Sequence, residues 1–226
     1  KEFKSDPKAK KDIIDSEGYS YSVKGGEKKW QIFLYGKTRF EQDYTFGGMN
    51  GMSELLLQCI KSFPESREQY LANKKFYKKK LQEPMLKLCQ KLSEKKLLAN
   101  FLHKSIFNSG EVDFLVIKDN DLFHIFYNKD VVDILVRNYN VENSKARNIN
   151  QMDNQKVVFK VSGKTHGEIE MRNDSDIHYR EIKFWLSKNL TLNLLKSKSK
   201  KSYNLNNKII LYDQAINKLS KYKEMQ

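Results

Sequence analysis

Apolar and polar residues alternate near the start of the chain, and this alternation predicts β-strands. Residues 19–23 alternate aromatic with small polar side chains, and residues 30–35 form a second strand-like run. A short apolar stretch at residues 12–14 precedes both runs. Gly18 and the Gly25-Gly26 pair supply the turns between them. The three runs are therefore predicted to form a compact meander of neighbouring strands.

The spacing of apolar residues then becomes helical. Residues 52–62 place four apolar side chains on one face, which predicts an amphipathic helix. Pro64 and Pro84 are each predicted to open a further helix, because the φ angle of proline suits the first helical turn. The helix that starts at Pro64 is expected to end near Lys80.

A run of lysines stands near the predicted end of that second helix. Its members are Lys74, Lys75, Lys78, Lys79 and Lys80. Basic side chains late in a helix balance its dipole, so this role explains them as well as contact with a nucleic acid does.

From residue 112 onward the period returns to two. Residues 112–117 and 122–126 predict one hairpin, and residues 157–161 and 167–171 predict a second. Residues 131–136, which follow the first hairpin, fit a short helix or a strand.

The last fifty residues are predicted to be mainly helical. Asp174 or Ser175 is expected to cap a helix over residues 176–188. Residues 196–207 are rich in Lys, Ser and Asn and predict a flexible loop. An amphipathic helix is predicted over residues 209–222.

Composition adds a polyanion to the list of candidate partners. The 226 residues carry a formal net charge of +14, and a protein this basic usually binds a polyanion. Codon bias in an AT-rich genome would also produce many lysines, and only six of the 42 basic residues are arginine.

The cysteines and the hydropathy pattern restrict the cellular setting. Cys59 and Cys89 stand among apolar residues and are read as buried free thiols, which suits a cytoplasmic protein. Clustered Cys and His are absent from the sequence, which argues against structural zinc. No apolar run reaches the length of a membrane helix. The chain begins with Lys1 rather than Met, so an N-terminal part is expected to be missing.

The first two predicted strands carry a candidate metal-hydrolysis site. Asp12, a turn, and Lys24 on the next strand can place a carboxylate and an ammonium together. Such a carboxylate holds Mg²⁺ near a scissile phosphate, and the lysine acts on the attacking water and on developing charge. Ser22 and Lys24 are expected on one face of their strand. An ordinary pair of solvent-facing strand residues is the alternative interpretation of Asp12 and Lys24.

The second oxygen ligand is left open by the sequence. Ser22 occupies the position before Val23 and Lys24 where a carboxylate is expected. The candidates for a replacement ligand are Gln31, Glu27, Glu41 and Asp43. Gln31 is favoured because it lies on the next predicted strand.

The ordered set of motifs resembles a known family. Asp12-Ile-Ile, Gly18 and Ser22-Val-Lys24, followed by Lys29-Trp-Gln-Ile-Phe-Leu-Tyr35, resemble the nuclease core of type II restriction endonucleases of the PD-(D/E)xK superfamily. Residues 114–126, 144–147 and 167–173 resemble later segments of these enzymes, so the resemblance covers roughly residues 5–185. No single motif is specific, and the order of the motifs carries the inference.

The resemblance implies a fold, a reaction and a cofactor. The expected fold is α/β (α+β): a restriction-endonuclease-like mixed β-sheet core flanked by helices, with a β-rich DNA-recognition region. The expected activity is Mg²⁺-dependent, sequence-specific hydrolysis of double-stranded DNA to 5′-phosphate ends. Asp12 would bind Mg²⁺ with a backbone carbonyl near Val23, Ser22 or Gln31 would assist, and Lys24 would act on water.

The resemblance also divides the chain into parts. The nuclease core is expected over residues 1–60, a helical linker over 61–106 and the recognition region over 107–190. A flexible loop and a C-terminal helix are expected over residues 191–226. Whether a homodimer cuts both strands stays open.

Several polar residues of the recognition region are candidates for DNA contact, arginine above all, because its fork matches the guanine edge. The candidates are Lys145, Arg147, Asn148, Arg172, His178 and Arg180. Arg172 and Arg180 could instead pair with nearby carboxylates. Glu168 and Glu170 are expected to form an exposed acidic face or to accept from cytosine.

Two other functions remain open on this reading. The chain could be a structure-specific or anti-phage DNA nuclease of the same fold. It could also be a non-catalytic DNA- or RNA-binding protein, which the serine at position 22 allows.

Overall fold

The chain folds into a mixed structure of two β-sheets and surrounding helices. The computed structural model describes residues 10–26, 28–46, 48–49, 51–149 and 151–223. Within these ranges there are eleven strands in two sheets and eight α-helices. The predicted α+β class is therefore confirmed.

The strands are β1 (Ile13–Ile14), β2 (Ser20–Lys24), β3 (Lys29–Tyr35), β4 (Phe114–Asp119), β5 (Leu122–Tyr127), β6 (Asn140–Asn143), β7 (Lys156–Val161), β8 (Lys164–Met171), β9 (Ile182–Ser187), β10 (Ser202–Asn204) and β11 (Ile209–Tyr212). The helices are α1 (Lys37–Gln42), α2 (Met52–Lys61), α3 (Arg67–Ala72), α4 (Lys74–Ser93), α5 (Lys95–Phe107), α6 (Asn128–Asn138), α7 (Lys188–Lys198) and α8 (Gln214–Lys218).

The first sheet has six strands and mixed pairing. Its order is β1-β2-β4-β5-β11-β10, with parallel pairing of β2 with β4 and of β5 with β11. The predicted hairpin of residues 112–126 is confirmed as β4 and β5. Phe114 and Val116 face a small apolar cluster while Leu115 and Ile117 face the large core, so β4 is buried on both faces.

The second sheet has five antiparallel strands in the order β3-β9-β8-β7-β6. The predicted hairpin of residues 157–171 is confirmed as β7 and β8. The predicted meander at the N-terminus is wrong, because β3 leaves β2 and pairs with β9. The turn at Gly25 and Gly26 therefore connects one sheet to the other rather than two neighbouring strands.

Two helices, α6 and α7, each connect a strand of one sheet to a strand of the other. Strand β5 of the first sheet leads through α6 to β6 of the second, and β9 of the second leads through α7 to β10 of the first. Both helices have 11 residues, and α6 and α7 bury the same positions, such as Leu135 and Leu195. Strands from the predicted core, recognition region and tail thus share sheets. The boundaries predicted at residues 60 and 106 stay predictions.

A single large core joins both sheets to the helices between them. Aromatic rings form its centre, where Phe184 of β9 contacts Phe33 of β3, Phe101 of α5 and Phe159 of β7 at centroid distances of 5.4–5.8 Å. All four rings are at most 3% exposed. These contacts fix β3 against the helices and thereby set the position of the chain that leads from β2.

Helix α4 is longer than the sequence pattern indicated. The helix predicted from Pro64 starts only at Arg67, as α3, and Pro84 lies inside α4 instead of opening a helix. Proline leaves the carbonyl four residues earlier without its helical donor. The hydroxyl of Ser62 lies 3.4 Å from the carbonyl oxygen of Lys80 and 2.9 Å from that of Gln58, so a polar group still faces the carbonyl that the proline leaves without its donor.

The predicted helix over residues 176–188 is wrong. Ser175 does accept a hydrogen bond from the backbone N–H of His178 at 3.0 Å, as a capping residue would. The chain then turns back, and residues Ile182–Ser187 form β9 between β3 and β8. Pairing on both sides of β9 outweighs the local capping signal.

The C-terminal prediction is also wrong in part. Residues Ile209–Tyr212 form β11, parallel to β5, and the helical part is limited to α8 (Gln214–Lys218) and a short 3-10 helix at Ser220–Lys223. The predicted loop over residues 196–207 begins inside α7 and contains the short strand β10.

Candidate functional site

The carboxylate of Asp12 is held beside the backbone of β2. One carboxylate oxygen, Oδ2, accepts hydrogen bonds from the backbone N–H of Val23 at 2.7 Å and from the hydroxyl of Ser22 at 3.3 Å. The backbone N–H of Asp12 donates to the carbonyl of Tyr21 at 2.8 Å. The side chain is thus oriented by the strand that carries Lys24.

Ser22 and Lys24 share one face of β2, as predicted. Tyr21 and Val23 pack against the small apolar cluster on the other face, while Ser22 is fully buried. Ser22 acts as a donor to Asp12, so it positions the carboxylate.

The amine of Lys24 lies in apolar surroundings. Lys24 lines a small cavity that reaches across both sheets, together with Trp30, Ile32, Ile106, Leu115, Val131, Leu135, Leu186 and Thr191. Burial lowers the pKa of Lys24, and the negative charge of Asp12 opposes that shift. Asp12 and Lys24 are therefore close enough to interact electrostatically.

A second lysine stands beside this pair. The Nζ of Lys10 donates to the carbonyl of Ile32 at 3.0 Å and also to the carbonyl of Ser105. Ile32 is the bulged residue where β3 shifts register against β9, so its carbonyl is free of strand pairing. Burial, together with the positive charges of Lys24, Arg39 and Lys104, lowers the pKa of Lys10 to about 7.

Helices α1 and α5 contribute the other two cations. Arg39 lies in the last turn of α1, with its guanidinium 5.2 Å from the ring centroid of Tyr35. Lys104, near the end of α5, pairs with Asp43 at 3.0 Å. Burial alone would raise the pKa of Asp43, but the hydrogen bond and charge of Lys104 outweigh burial and lower it.

Lys10, Lys24, Arg39 and Lys104 are called the cationic cluster below. Three of its members act on the charge of Lys10, and they come from β2, α1 and α5. Among the acids named above, Asp43 is already paired with Lys104, which leaves Asp12 as the carboxylate facing the cluster. Such a group of cations favours an anionic ligand such as a phosphate. The sequence pattern identified Lys24 as a candidate site residue but not Lys10, Arg39 or Lys104. Lys10 is two residues from Asp12, and this was the only signal in the sequence for any of the three.

Gln31 is not brought to Asp12 in the way that the sequence suggested. Strand β3 belongs to the other sheet, where Gln31 pairs with Trp185. The neighbours Trp30 and Ile32 line the cavity of Lys24, whereas Gln31 between them is exposed. Strand alternation therefore turns its side chain away from the site.

The other candidate acids are occupied or lie outside the described part of the chain. Glu41 pairs with Lys37, and Asp43 is held by Lys104 and by the backbone of Phe46. Glu27 lies outside the described residues. In the ranges that the structure describes, no three His, Cys, Asp or Glu residues are grouped so that they could hold a metal ion.

The free carboxylate oxygen of Asp12 fits a magnesium ion that takes most of its ligands from water and from substrate phosphate. Oδ1 of Asp12 has no hydrogen-bond partner within the described part of the protein. Mg²⁺ commonly takes one or two carboxylates and completes its shell with water and substrate phosphate oxygens. Asp12, with the peptide of Val23 beside it, is compatible with such a site.

The loop over residues 144–155 presents three of the predicted DNA contacts to solvent. Lys145, Arg147 and Asn148 are all exposed. The loop is held from within, because Ala146 N–H donates to Asp153 at 2.7 Å and Arg147 N–H donates to Gln151 at 3.0 Å. The side chains of Lys145 and Arg147 form no ion pair with any described residue.

The other three predicted contacts are already paired with carboxylates. Arg172 contacts Asp174 at 3.5 Å, His178 contacts Glu181 at 3.1 Å and Arg180 contacts Glu65 at 3.1 Å. For Arg172 and Arg180 the structure thus favours the alternative of carboxylate pairing.

An arginine that the sequence did not single out anchors their loop. Arg67 of α3 contacts Asp176 at 3.3 Å and lies 5.3 Å from the ring centroids of Tyr70 and Tyr179. The loop over residues 172–181 is thereby fixed to the start of the helical segment.

Glu168 and Glu170 do not form a free acidic face. The Nζ of Lys156 lies 3.1 Å from Glu168 and 2.6 Å from Glu170, and Lys183 lies 3.0 Å from Glu170. Lys156 and Lys183 stand directly opposite Glu170 on β7 and β9. Burial would raise the pKa of Glu170, but Lys156 and Lys183 outweigh burial and lower it.

Replacing Glu170 by glutamine is therefore expected to destabilise the fold by about 2 kcal/mol at pH 7. The substitution leaves Lys183 without its carboxylate and Lys156 with Glu168 alone. The folded pKa of Glu170 lies below its ordinary value of 4.5. The stabilisation is thus present above that value and is lost as the pH falls through the folded pKa. Urea unfolding of parent and variant at a series of pH values measures the difference.

Glu142→Gln is the matched control, because Glu142 and Lys160 form a more exposed pair. That substitution should cost about 0.5 kcal/mol or less. A Glu170→Gln effect as small as that of the control, or one independent of pH, would contradict the role given to the Lys-Glu-Lys arrangement.

Comparison with known proteins adds no family. No model of a protein family matches the chain, and no curated protein matches it either. Across the described ranges, every helix is too short or too polar to cross a membrane.

Proposed function

We propose that this protein is a Mg²⁺-dependent endonuclease that cleaves double-stranded DNA, with a fold and action like those of a type II restriction endonuclease. One observation carries the proposal: Ser22 and the backbone N–H of Val23 hold the carboxylate of Asp12 beside β2, the strand that also carries the half-buried Lys24. In metal-dependent hydrolysis of a phosphodiester, such a carboxylate would hold the ion and such an ammonium would act on the attacking water.

The electrostatics of the site support a phosphodiester substrate. The cationic cluster brings positive charge from β2, α1, α5 and the segment before β1 to the neighbourhood of Lys10, two residues before Asp12. A DNA phosphate entering this region would compensate the positive charges of Lys10 and Lys24. Neither lysine forms an ion pair with a carboxylate of the described residues, and Lys24 has only the longer-range attraction of Asp12. Mutual repulsion of the cations would thus become attraction for the substrate.

The residues of the chain would divide the chemistry as follows. Asp12 would hold the metal ion, together with the backbone oxygen of Val23, and Ser22 would keep the carboxylate oriented. Lys24 would hold the attacking water by a hydrogen bond and stabilise the charge that develops on the phosphate. Bound Mg²⁺ supplies activation of water and neutralisation of phosphate charge.

Recognition of a DNA sequence would belong to the exposed loop over residues 144–155. Arg147 has the side chain best suited to a guanine edge, and Lys145 is suited to the phosphate backbone. Arg172, His178 and Arg180 are engaged with carboxylates and contribute to the same region by fixing the neighbouring loop.

Incubation of supercoiled plasmid and phage DNA with the purified protein and Mg²⁺ tests the proposal. We expect discrete fragments with 5′-phosphate ends, no cutting in EDTA, and about 100-fold slower cutting by Asp12→Asn, in which an amide replaces the charged ligand. Asp121→Asn is the matched control, because Asp121 is an exposed turn residue between β4 and β5. The proposal fails if the parent hydrolyses no DNA in Mg²⁺ or Mn²⁺, or if Asp12→Asn cuts like the parent.

One observation favours a second candidate, a DNA-binding protein without nuclease activity. Ser22 donates to Asp12, and no second acid joins them within the described ranges. Salt-dependent binding of DNA without hydrolysis in either metal would identify this function. Smeared or structure-dependent products would instead indicate a nuclease of the same fold without a fixed sequence.

A further inference from the structure

The lysines at the start of α4 stand where the helix disfavours them. Lys74 and Lys75 occupy the first turn of this 20-residue helix, and Lys78 and Lys79 occupy the second. The N-terminal end of a helix carries partial positive charge, so cations there are destabilising. The sequence had suggested that these lysines come late in a helix and balance its dipole, and the observed start of α4 at Lys74 removes that explanation.

No acidic residue offsets this arrangement. The first turn of α4 contains none, and no ion pair joins Lys74, Lys75, Lys78 or Lys79 to any carboxylate in the described part of the chain. Spacing by four residues puts Lys74 beside Lys78 and Lys75 beside Lys79, and like charges at that spacing repel each other. Three of the four side chains are exposed and Lys78 is half-buried.

A second basic element is fastened to the same part of the helix. Gln155 donates to the carbonyl of Lys78 at 2.9 Å, and Gln82 donates to the carbonyl of Asp153 at 3.0 Å. These bonds attach the loop over residues 144–155, which carries the exposed Lys145 and Arg147, to the second and third turns of α4.

We infer that Lys74, Lys75, Lys78 and Lys79, called here the α4 basic face, form a binding surface for the phosphate backbone of double-stranded DNA, continuous with the loop that carries Lys145 and Arg147. The physical argument is that a stability cost without internal compensation is relieved when a polyanion is bound. A regular row of cations on a rigid helix suits the evenly repeating charge of a duplex. The proposed nuclease function enters only in the choice of DNA as the polyanion.

The test measures binding apart from cleavage. A labelled 30-base-pair duplex is titrated with protein in Ca²⁺, or in EDTA, at several salt concentrations. Lys74, Lys75, Lys78 and Lys79 are all replaced by glutamine in one variant. Loss of four phosphate contacts should weaken binding about 100-fold at physiological salt and lower the slope of log K against log salt by about 3–4. The thermal midpoint of the variant should not fall, because the substitution removes repulsion within α4.

The control variant carries the same change in net charge elsewhere, with Lys118, Lys129, Lys164 and Lys208 replaced by glutamine. All four of these side chains are exposed. The inference is supported if the control retains most of its affinity and salt slope while the α4 variant loses both. Equal losses in the two variants would show only an effect of net charge and overturn it, as would undiminished duplex binding by the α4 variant. Stronger binding of the parent to vesicles of anionic lipid or to duplex RNA would overturn the choice of DNA.

The outcomes also separate this inference from the proposed function. A parent that binds duplex through the α4 basic face but never cleaves would retain the surface and refute the nuclease. If the parent cleaves DNA and the α4 variant binds and cuts DNA equally well, the nuclease function is supported and the α4 binding surface is refuted.

Discussion

Replacing Lys24 by methionine is expected to reduce DNA cleavage about 1,000-fold while making the protein more stable, not less. The loss of activity follows from removal of the only charged group that β2 places beside Asp12 on the same face. Methionine has a similar length and no charge, so it fills the position without acting on water or on the phosphate.

The gain in stability follows from the surroundings of the amine. Lys24 lines a cavity formed mostly by aliphatic and aromatic side chains, such as Trp30 and Leu115, and burial lowers its pKa despite the nearby carboxylate. The folded state thus disfavours the charged form of Lys24. We expect a gain of about 1 kcal/mol, seen as a thermal midpoint about 2–4 °C higher.

Lys28→Met is the matched control. Lys28 lies just beyond the Gly25-Gly26 pair that follows Lys24, and its side chain is exposed. It should change neither the cutting rate nor the thermal midpoint appreciably. If Lys24→Met unfolds at a lower temperature, Lys24 has a structural role. If it is more stable but cuts like the parent, Lys24 is buried without a part in the reaction.

Replacing Phe184 by alanine is expected to destabilise the protein by about 4 kcal/mol. The ring is completely buried and contacts Phe33, Phe101 and Phe159, which come from two further strands and a helix. Alanine would leave a cavity at the point where α5 packs against β3, β7 and β9 of the five-stranded sheet. Equilibrium unfolding in urea measures the loss of free energy.

Phe76→Ala provides the comparison, because that ring of α4 is 47% exposed and makes a cation–π contact with the amine of Lys80. A cost below about 1 kcal/mol is expected there. A similar small cost for Phe184→Ala would mean that the aromatic centre is not the core that joins the two sheets.

Local patterns were sufficient for those elements whose pairing is local. The two hairpins at β4–β5 and β7–β8 follow from alternating residues around short turns, and α2 follows from its amphipathic spacing. The shared face of Ser22 and Lys24 is equally local, since strand side chains alternate. The proximity of Asp12 to Lys24 could be predicted for the same reason, because one turn separates β1 from β2.

Patterns failed where a distant segment decided the structure. Residues 182–187 follow a capping signal but form a central strand, because β3 and β8 offer hydrogen bonds on both sides. The need for glycine at position 167 also depends on a distant segment, because a Cβ there would lie 2.5 Å from the carbonyl oxygen of Trp185 on β9. The residues next to either segment in the sequence do not indicate which strand will pair with it.

The sequence by itself determined the hairpins, the shared face of Ser22 and Lys24, the strong positive charge and the exposed polar loop near Arg147. Only the tertiary structure decided that β3 leaves β2, that Lys24, Arg39 and Lys104 lie near Lys10, and that the α4 lysines begin a helix. The reason is physical. Alternation and turns act over a few residues, whereas sheet partners, burial and the summed electrostatic field depend on segments that are far apart in the chain.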